Sequence, residues 1–264
     1  ENVIFQMGCD YDRATNSDLN LTVAYQAVSS ISGNHNSDTI LPASEMIVKS
    51  GRIGSYMLDY TGSGIPGRYY MYGIYVGAHS DGDSTAFRTL KVEGGQIFSI
   101  NGGPCIKNEY DGNVIGIYIT GGMVQNVVGG ACVSRTEGNR IISVTGGTVV
   151  NAVAGGSNSY SGSSSPGPLI SSTLVYIGGN ATIGGTLEYA DNSNTLYGVE
   201  ETGSVFGAGL GNSNYNGRGV VKNSNVIVDG SATINGSVYG GGNYGATGGD
   251  TGEDCPQFNV NTKT

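Results

Sequence analysis

A glycine-punctuated phrase returns along this chain in register, and few folds tolerate it. The phrase is an apolar-alternating run, one or two glycines, a second apolar run, and a second glycine cluster. It reads Ile47-Val48-Lys49-Ser50-Gly51-Arg52-Ile53, then Val92-Glu93-Gly94-Gly95-Gln96-Ile97, Ile119-Thr120-Gly121-Gly122-Met123-Val124 and Val144-Thr145-Gly146-Gly147-Thr148-Val149. It returns as Tyr176-Ile177-Gly178-Gly179-Asn180-Ala181-Thr182-Ile183 and Val228-Asp229-Gly230-Ser231-Ala232-Thr233-Ile234. The second cluster appears as Gly102-Gly103, Gly129-Gly130, Gly155-Gly156, Gly207-Ala208-Gly209 and Gly240-Gly241-Gly242. Anchored on the last glycine of the first group, the copies stand at 51, 95, 122, 147, 179 and 230, with gaps of 44, 27, 25, 32 and 51. The base period is about 25 residues, and the longer gaps hold an inserted loop or a degenerate copy.

Period-2 alternation between glycines means short strands and tight corners. Glycine supplies the positive φ that corners need. A unit of this size cannot bury its own apolar face, whereas stacked units bury a continuous core. The expected fold is therefore all-β, a single-stranded parallel β-helix (β-solenoid), right-handed, with about 25 residues per coil and inserted loops. A β-sandwich competes, but it predicts no register between copies. A β-propeller would want a period of ~40–50 residues.

Composition removes other classes. Glycine fills 47 of 264 positions, and each would cost a helix about 1 kcal/mol relative to Ala. Glycine has no period of three and proline numbers only 6, which excludes collagen. The net charge is 12 − 21 = −9, so a nucleic-acid partner is not expected. No run of ~18 apolar residues marks a membrane span. Low charge with abundant Asn, Ser, Thr, Gly and Tyr suggests an extracellular location, and a chain starting at Glu1 is expected to be processed or cut from a longer one.

The organisation expected is an N-terminal cap or divergent first coils over 1–45, and a solenoid over 46–247. Insertions are expected near 55–89, 157–173 and 188–222, with a polar tail over 248–264. Strands are read at Val3–Met7, Leu19–Tyr25 and Arg68–Val76, and a polar loop at Ser29–Asp38.

Cys105 and Cys132 both follow a second glycine cluster and stand 27 apart. Equivalent residues on successive coils lie ~4.8 Å apart, within disulfide range. The pair is expected to stack as a disulfide or as two buried thiols. Cys9 and Cys255 lie near opposite ends and are expected to stay unpaired within one chain.

Chemical signals are sparse. Asp81 and Asp83, in His79-Ser80-Asp81-Gly82-Asp83-Ser84-Thr85, offer oxygens to calcium, though a solvated turn needs no metal. No other cofactor is expected. Lys107, Glu109 and Asp111 are placed on one corner, and Arg135, Glu137 and Arg140 on the corner above it. Paired carboxylates of that kind would serve a glycoside hydrolase or polysaccharide lyase. The only histidines, His35 and His79, sit in polar stretches and are too few for a zinc site. Tyr69, Tyr70, Tyr72 and Tyr75 alternate along one strand, so one set is expected outward as a binding surface for sugar or protein.

The phrase Gly-x-Ala-Thr-Ile-x-Gly-[Ser/Thr]-[Leu/Val] occurs at 179–187 and 230–238. It resembles the glycine-rich repeats of large surface proteins of Gram-positive gut bacteria and is similar, more loosely, to β-helical adhesin stalks. The resemblance covers about residues 46–247. It implies a non-enzymatic extracellular structural or adhesive module of a surface protein or filament, partnered by protein or glycan on a host or neighbouring cell, or by copies of itself end to end. The alternative is a carbohydrate-active β-helix enzyme.

Overall fold

The computed structural model describes residues 27–28, 31–35, 44–53, 56–58, 69–71, 73–79, 87–103, 110–111, 114–130, 135–136, 138–157, 170–185, 203–210 and 221–243. These residues are all-β, with no helix among them. Ser44–Val48, Phe87–Val92, Val114–Ile119, Asn139–Val144, Ile170–Ile177 and Val221–Val228 form a six-stranded sheet. Each strand lies beside the next in chain order, and every pairing is parallel. After each of these strands the chain turns into an eleven-stranded sheet. Its regular members are Gln96–Asn101, Met123–Val128 and Thr148–Ala154. Each repeat thus places one rung in each sheet.

Register follows the repeat. In the six-stranded sheet Met46 pairs with Leu90, Leu90 with Ile117, Ile117 with Ile142, Ile142 with Val175, and Val175 with Val226. Those steps are 44, 27, 25, 33 and 51 residues, where the glycine anchors give 32 for the fourth. The difference lies in the turn between the sheets. In the first four rungs it has three residues, ending on Gly51, Gly95, Gly122 or Gly147, each at positive φ. In the last two it has four residues, 178–181 and 229–232, and the positive φ moves to Gly179 and Gly230, the second position. The extra residue carries the step from 33 at Val144–Ile177 to 34 at Thr148–Thr182.

Four apolar columns run through the stack. Met46, Leu90, Ile117, Ile142, Val175 and Val226 form one; Val48, Val92, Ile119, Val144, Ile177 and Val228 form the next. The facing sheet supplies Ile53, Ile97, Val124, Val149, Ile183 and Ile234, and Ile74, Ile100, Val127, Val153, Val205 and Val238. Nearly all are buried in one cluster. β-Branched side chains fit here because a strand already restricts χ1 as they do. Each contributes about 1.5–3 kcal/mol by burial.

Inward Ile97 and Ile100 stand three apart, as do Val124 and Val127. Strict alternation would put them two or four apart, so each strand bends there. Two long excursions leave at this bend, between Ile53 and Ile74 and between Ile183 and Ser204. Within the first, Tyr56–Leu58 and Tyr69–Met71 pair antiparallel.

Glycine is demanded at a second corner by close approach. Gly102, Gly129, Gly155, Gly207 and Gly240 continue one column of the ladder, and the amides of the first four reach the neighbouring rung at 2.8–2.9 Å. A Cβ on Gly102 would sit 1.9 Å from the Gly129 carbonyl oxygen, and one on Gly129 would sit 2.1 Å from that of Gly155. No L-residue with a side chain fits without moving a rung.

Several expectations need correction. Ser29–Asp38 is not a loop throughout, because Ile31–His35 pairs parallel with Ile74–His79. A rung joins through backbone groups, so its polar side chains do not forbid pairing. The expected strand over 68–76 is two strands, Tyr69–Met71 and Ile74–His79. The break falls beside Gly73, where a Cβ would lie 2.0 Å from the Ser99 carbonyl oxygen. The stretches expected as insertions also contain rungs: 74–79, 87–89, 170–173, 204–206 and 221–222 are strand. Val3–Met7 and Leu19–Tyr25 lie outside the described residues.

Gly129→Ala should lower stability by about 1–3 kcal/mol, the usual cost of overpacking. Thermal melting followed by circular dichroism would show the loss. An unchanged midpoint would mean that the corner does not approach as closely as described.

Candidate functional site

The outward positions of the six-stranded sheet form a surface whose residues share columns. One column reads Ile47, Lys91, Tyr118, Ser143, Tyr176 and Ile227. Tyr118 leans over Gly116. A Cβ at Gly116 would lie 2.7 Å from the Tyr118 ring and 3.2 Å from the Phe87 ring. Tyr176 leans the other way, over Gly178, where a Cβ would lie 2.6 Å from its ring. Glycine beneath each ring lets it approach the backbone closely. The Tyr176 hydroxyl donates to the Asp229 carboxylate at 3.4 Å, and Ser143 stands between the two tyrosines in the column. All three side chains are half-buried.

Charged groups border this strip at its ends, Lys91 with Glu45 at one and the Asp229 carboxylate beside Tyr176 at the other. Lys91 forms an ion pair with Glu45 at the strip's near end. The hydrogen bond to the Glu45 carboxylate raises the Lys91 pKa above 10.5, and Coulombic attraction to Glu45 adds to it. The next three rungs present Val114, Gly116, Tyr118; Asn139, Ile141, Ser143; and Ser172, Leu174, Tyr176. None of the nine is charged.

The facing sheet offers less. Its outward Phe98, Gln125 and Val150 are buried, as are their inward neighbours. Its outer columns pack as a second cluster that includes Val128, Ala154 and Phe206. Phe206 stacks on Tyr239 with centroids 4.9 Å apart.

Arg88 and Arg140 point inward and are fully buried. They share a column with Ser44, Ile115, Thr173 and Ser224. The Thr173 and Ser224 hydroxyls donate to the carbonyls of Gly207 and Gly240 in the glycine corner. Arg140 Nη1 donates to the Asn139 carbonyl at 3.1 Å. Arg140 therefore does not lie on the corner expected for it, because its place in the alternation matches inward Ile142 and Val144. Of the other members of that group, Tyr110–Asp111 does pair with Arg135–Thr136 on the adjacent rung. Lys107, Glu109 and Glu137 lie outside the described residues.

The tyrosine run is not uniformly exposed. Tyr75 is buried, 7% exposed, in the rung beside Asn101, and offers no free ring. Tyr69 and Tyr70 sit in the antiparallel pair, and Tyr72 lies outside the described residues. Asp81 and Asp83, Cys105 and Cys132, and Cys9 and Cys255 also lie outside them. The glycines just before Cys105 and Cys132 do pair across rungs, Gly103 N–H to Gly130 O at 3.0 Å.

His35 and His79 are direct partners on adjacent parallel strands, although the sequence places both in polar stretches. Two imidazoles fall short of the three protein ligands of a catalytic zinc site. Among the described residues no group of three or more His, Cys, Asp or Glu is arranged to hold a metal. No helix among them is long and apolar enough to cross a membrane.

No protein-family model, no curated protein and no solved structure matches this chain.

The raised Lys91 pKa has a consequence for pH. Whatever stability the pair adds is present below the unfolded lysine value and fades as pH rises through the folded value. NMR titration of the lysine side chains should find Lys91 titrating later than ordinary lysines, and Glu45→Gln should bring it back among them. If the variant leaves its titration unchanged, Glu45 is not the cause.

Proposed function

We propose that the two sheets are walls of one right-handed, single-stranded parallel β-helix, and that this solenoid is a non-enzymatic extracellular module with a structural or adhesive role. The observation that carries the reading is the stack itself. Its rungs add in register, and the columns run without interruption to the last described rung. There Val228 is 48% and Val238 43% exposed, although their equivalents one rung earlier are fully buried. A structure extended by further rungs would cover exactly these side chains, as a stalk or filament does. The two excursions leave from the same bend on the second and second-last rungs of the facing sheet, which suits a scaffold that presents loops. The resemblance of 179–187 and 230–238 to surface-protein repeats agrees with a bacterial cell-surface location.

The test pairs adhesion with product analysis. The purified chain should bind host matrix proteins or whole cells, or form end-to-end polymers in negative-stain electron micrographs. It should leave acidic and neutral polysaccharides at their original size. Shortened polysaccharide would replace this reading with a lyase or hydrolase. Absence of binding and of polymers together would remove both the adhesive and the filament role.

A further inference from the structure

The outward strip of the six-stranded sheet has the chemistry of a binding platform, and this inference rests on the adhesive reading above. Tyr118 and Tyr176 lie two rungs apart, about 9.6 Å at ~4.8 Å per rung. Each ring lies against a glycine, where a Cβ would come within 2.6–2.7 Å of it. A ring lying on a sheet offers its face, unlike an interface anchor that inserts into a pocket. That face carries the negative side of the aromatic quadrupole, which suits the polarised C–H bonds on the flat side of a pyranose ring. Ser143 stands between the rings, and Asn139 and Ser172 are hydrogen-bonded to each other at 2.8 Å on the same surface. These groups can meet hydroxyls at the edge of a sugar.

Charge selects among polymers. The nine outward positions from Val114 to Tyr176 are uncharged, and Lys91 is occupied by Glu45. The chain as a whole carries −9, which repels polyanions. A neutral polysaccharide meets no such penalty. We infer that Tyr118, Ser143 and Tyr176 form a non-catalytic binding platform for a neutral polysaccharide laid across the rungs. The two rings lean in opposite directions along their strands, so the line joining them runs obliquely over the sheet. Contact at both requires several linked sugars, and a monosaccharide would reach only one.

Affinity gel electrophoresis tests this on the full chain, with hydroxyethyl cellulose, arabinoxylan and galactomannan as neutral probes and polygalacturonate as the acidic one. At least one neutral polymer should retard the protein, and polygalacturonate should not. Tyr118→Ala and Tyr176→Ala should each weaken retardation at least tenfold, while Tyr118→Phe and Tyr176→Phe should retain it. Ser143→Glu places a charge between the rings at a half-buried outward position and should also abolish retardation; it serves where an alanine variant loses its cooperative melt. Unchanged mobility in all three neutral gels overturns the inference. So does retardation that survives both alanine variants and Ser143→Glu. A concentration-dependent dimer in sedimentation experiments, dissolved by the same substitutions, would assign the face to a second copy and overturn it too. Matrix-protein or cell binding by a chain that no neutral polymer retards would sink the platform while leaving the adhesive reading standing.

Discussion

Parallel pairing at one strand spacing governs the rest of this molecule. Once rungs stack at ~4.8 Å in register, every residue has a fixed neighbour above and below. A position that suits one rung must suit the next. The four inner columns answer with Ile and Val at every position but Met46 and Leu90, and the branched side chains nest against one another. The corner at Gly102, Gly129, Gly155, Gly207 and Gly240 answers with no side chain, because each of the first four faces the carbonyl oxygen of the next. The glycine excess is thus a set of columns. It reflects the cost of bringing backbone against backbone at the same corner in every rung.

That constraint leaves few places where the sequence is free to carry function. The interior is committed to packing, including Arg88 and Arg140, whose polar heads are drawn inside. The facing sheet is buried on both sides over its three regular rungs. The outer positions of the six-stranded sheet and the excursions at the bend remain. Tyr118 and Tyr176 occupy such outer positions without breaking a column, since glycine at the adjoining outward site accommodates each ring.

The sequence made the rungs legible because glycine spacing and register express the same physical fact. The steps of 44, 27, 25 and 51 follow directly from it. The step of 33 was blurred because a four-residue turn moves the positive-φ glycine to an earlier position. Counting from Val144 to Ile177, apolar residue to apolar residue, would have given it. Arg140 was misplaced because charge suggests solvent, although its parity with Ile142 and Val144 pointed inward. The platform was overlooked for a related reason. Tyr69, Tyr70, Tyr72 and Tyr75 are conspicuous as a run, whereas Tyr118 and Tyr176 are single residues that become neighbours in one column only after the rungs are stacked. Pairing of His35 with His79 was equally hidden, because 44 residues separate them and polar flanks mask the rung.

The two ends of the stack are unlike, and the difference bears on how it works. At the first rung Met46, Val48, Ile53 and Ile74 are buried. On the facing sheet Ala27–Val28 and Ile31–His35 pair beyond Arg52–Ile53 and Ile74–His79. At the last described rung Val228 and Val238 reach solvent, while Val226 stays buried and Ile234 partly so. In a stack whose stability is a sum over neighbouring rungs, an outer rung has one partner instead of two, and its apolar positions retain only part of the ~1.5–3 kcal/mol that full burial gives each. A further rung placed there would regain that energy without rearranging anything beneath it. On the proposed reading a further rung would fit at the later end of the described stack, while the outward strip of the six-stranded sheet, which runs along the stacking direction and faces sideways from it, would stay open to a ligand.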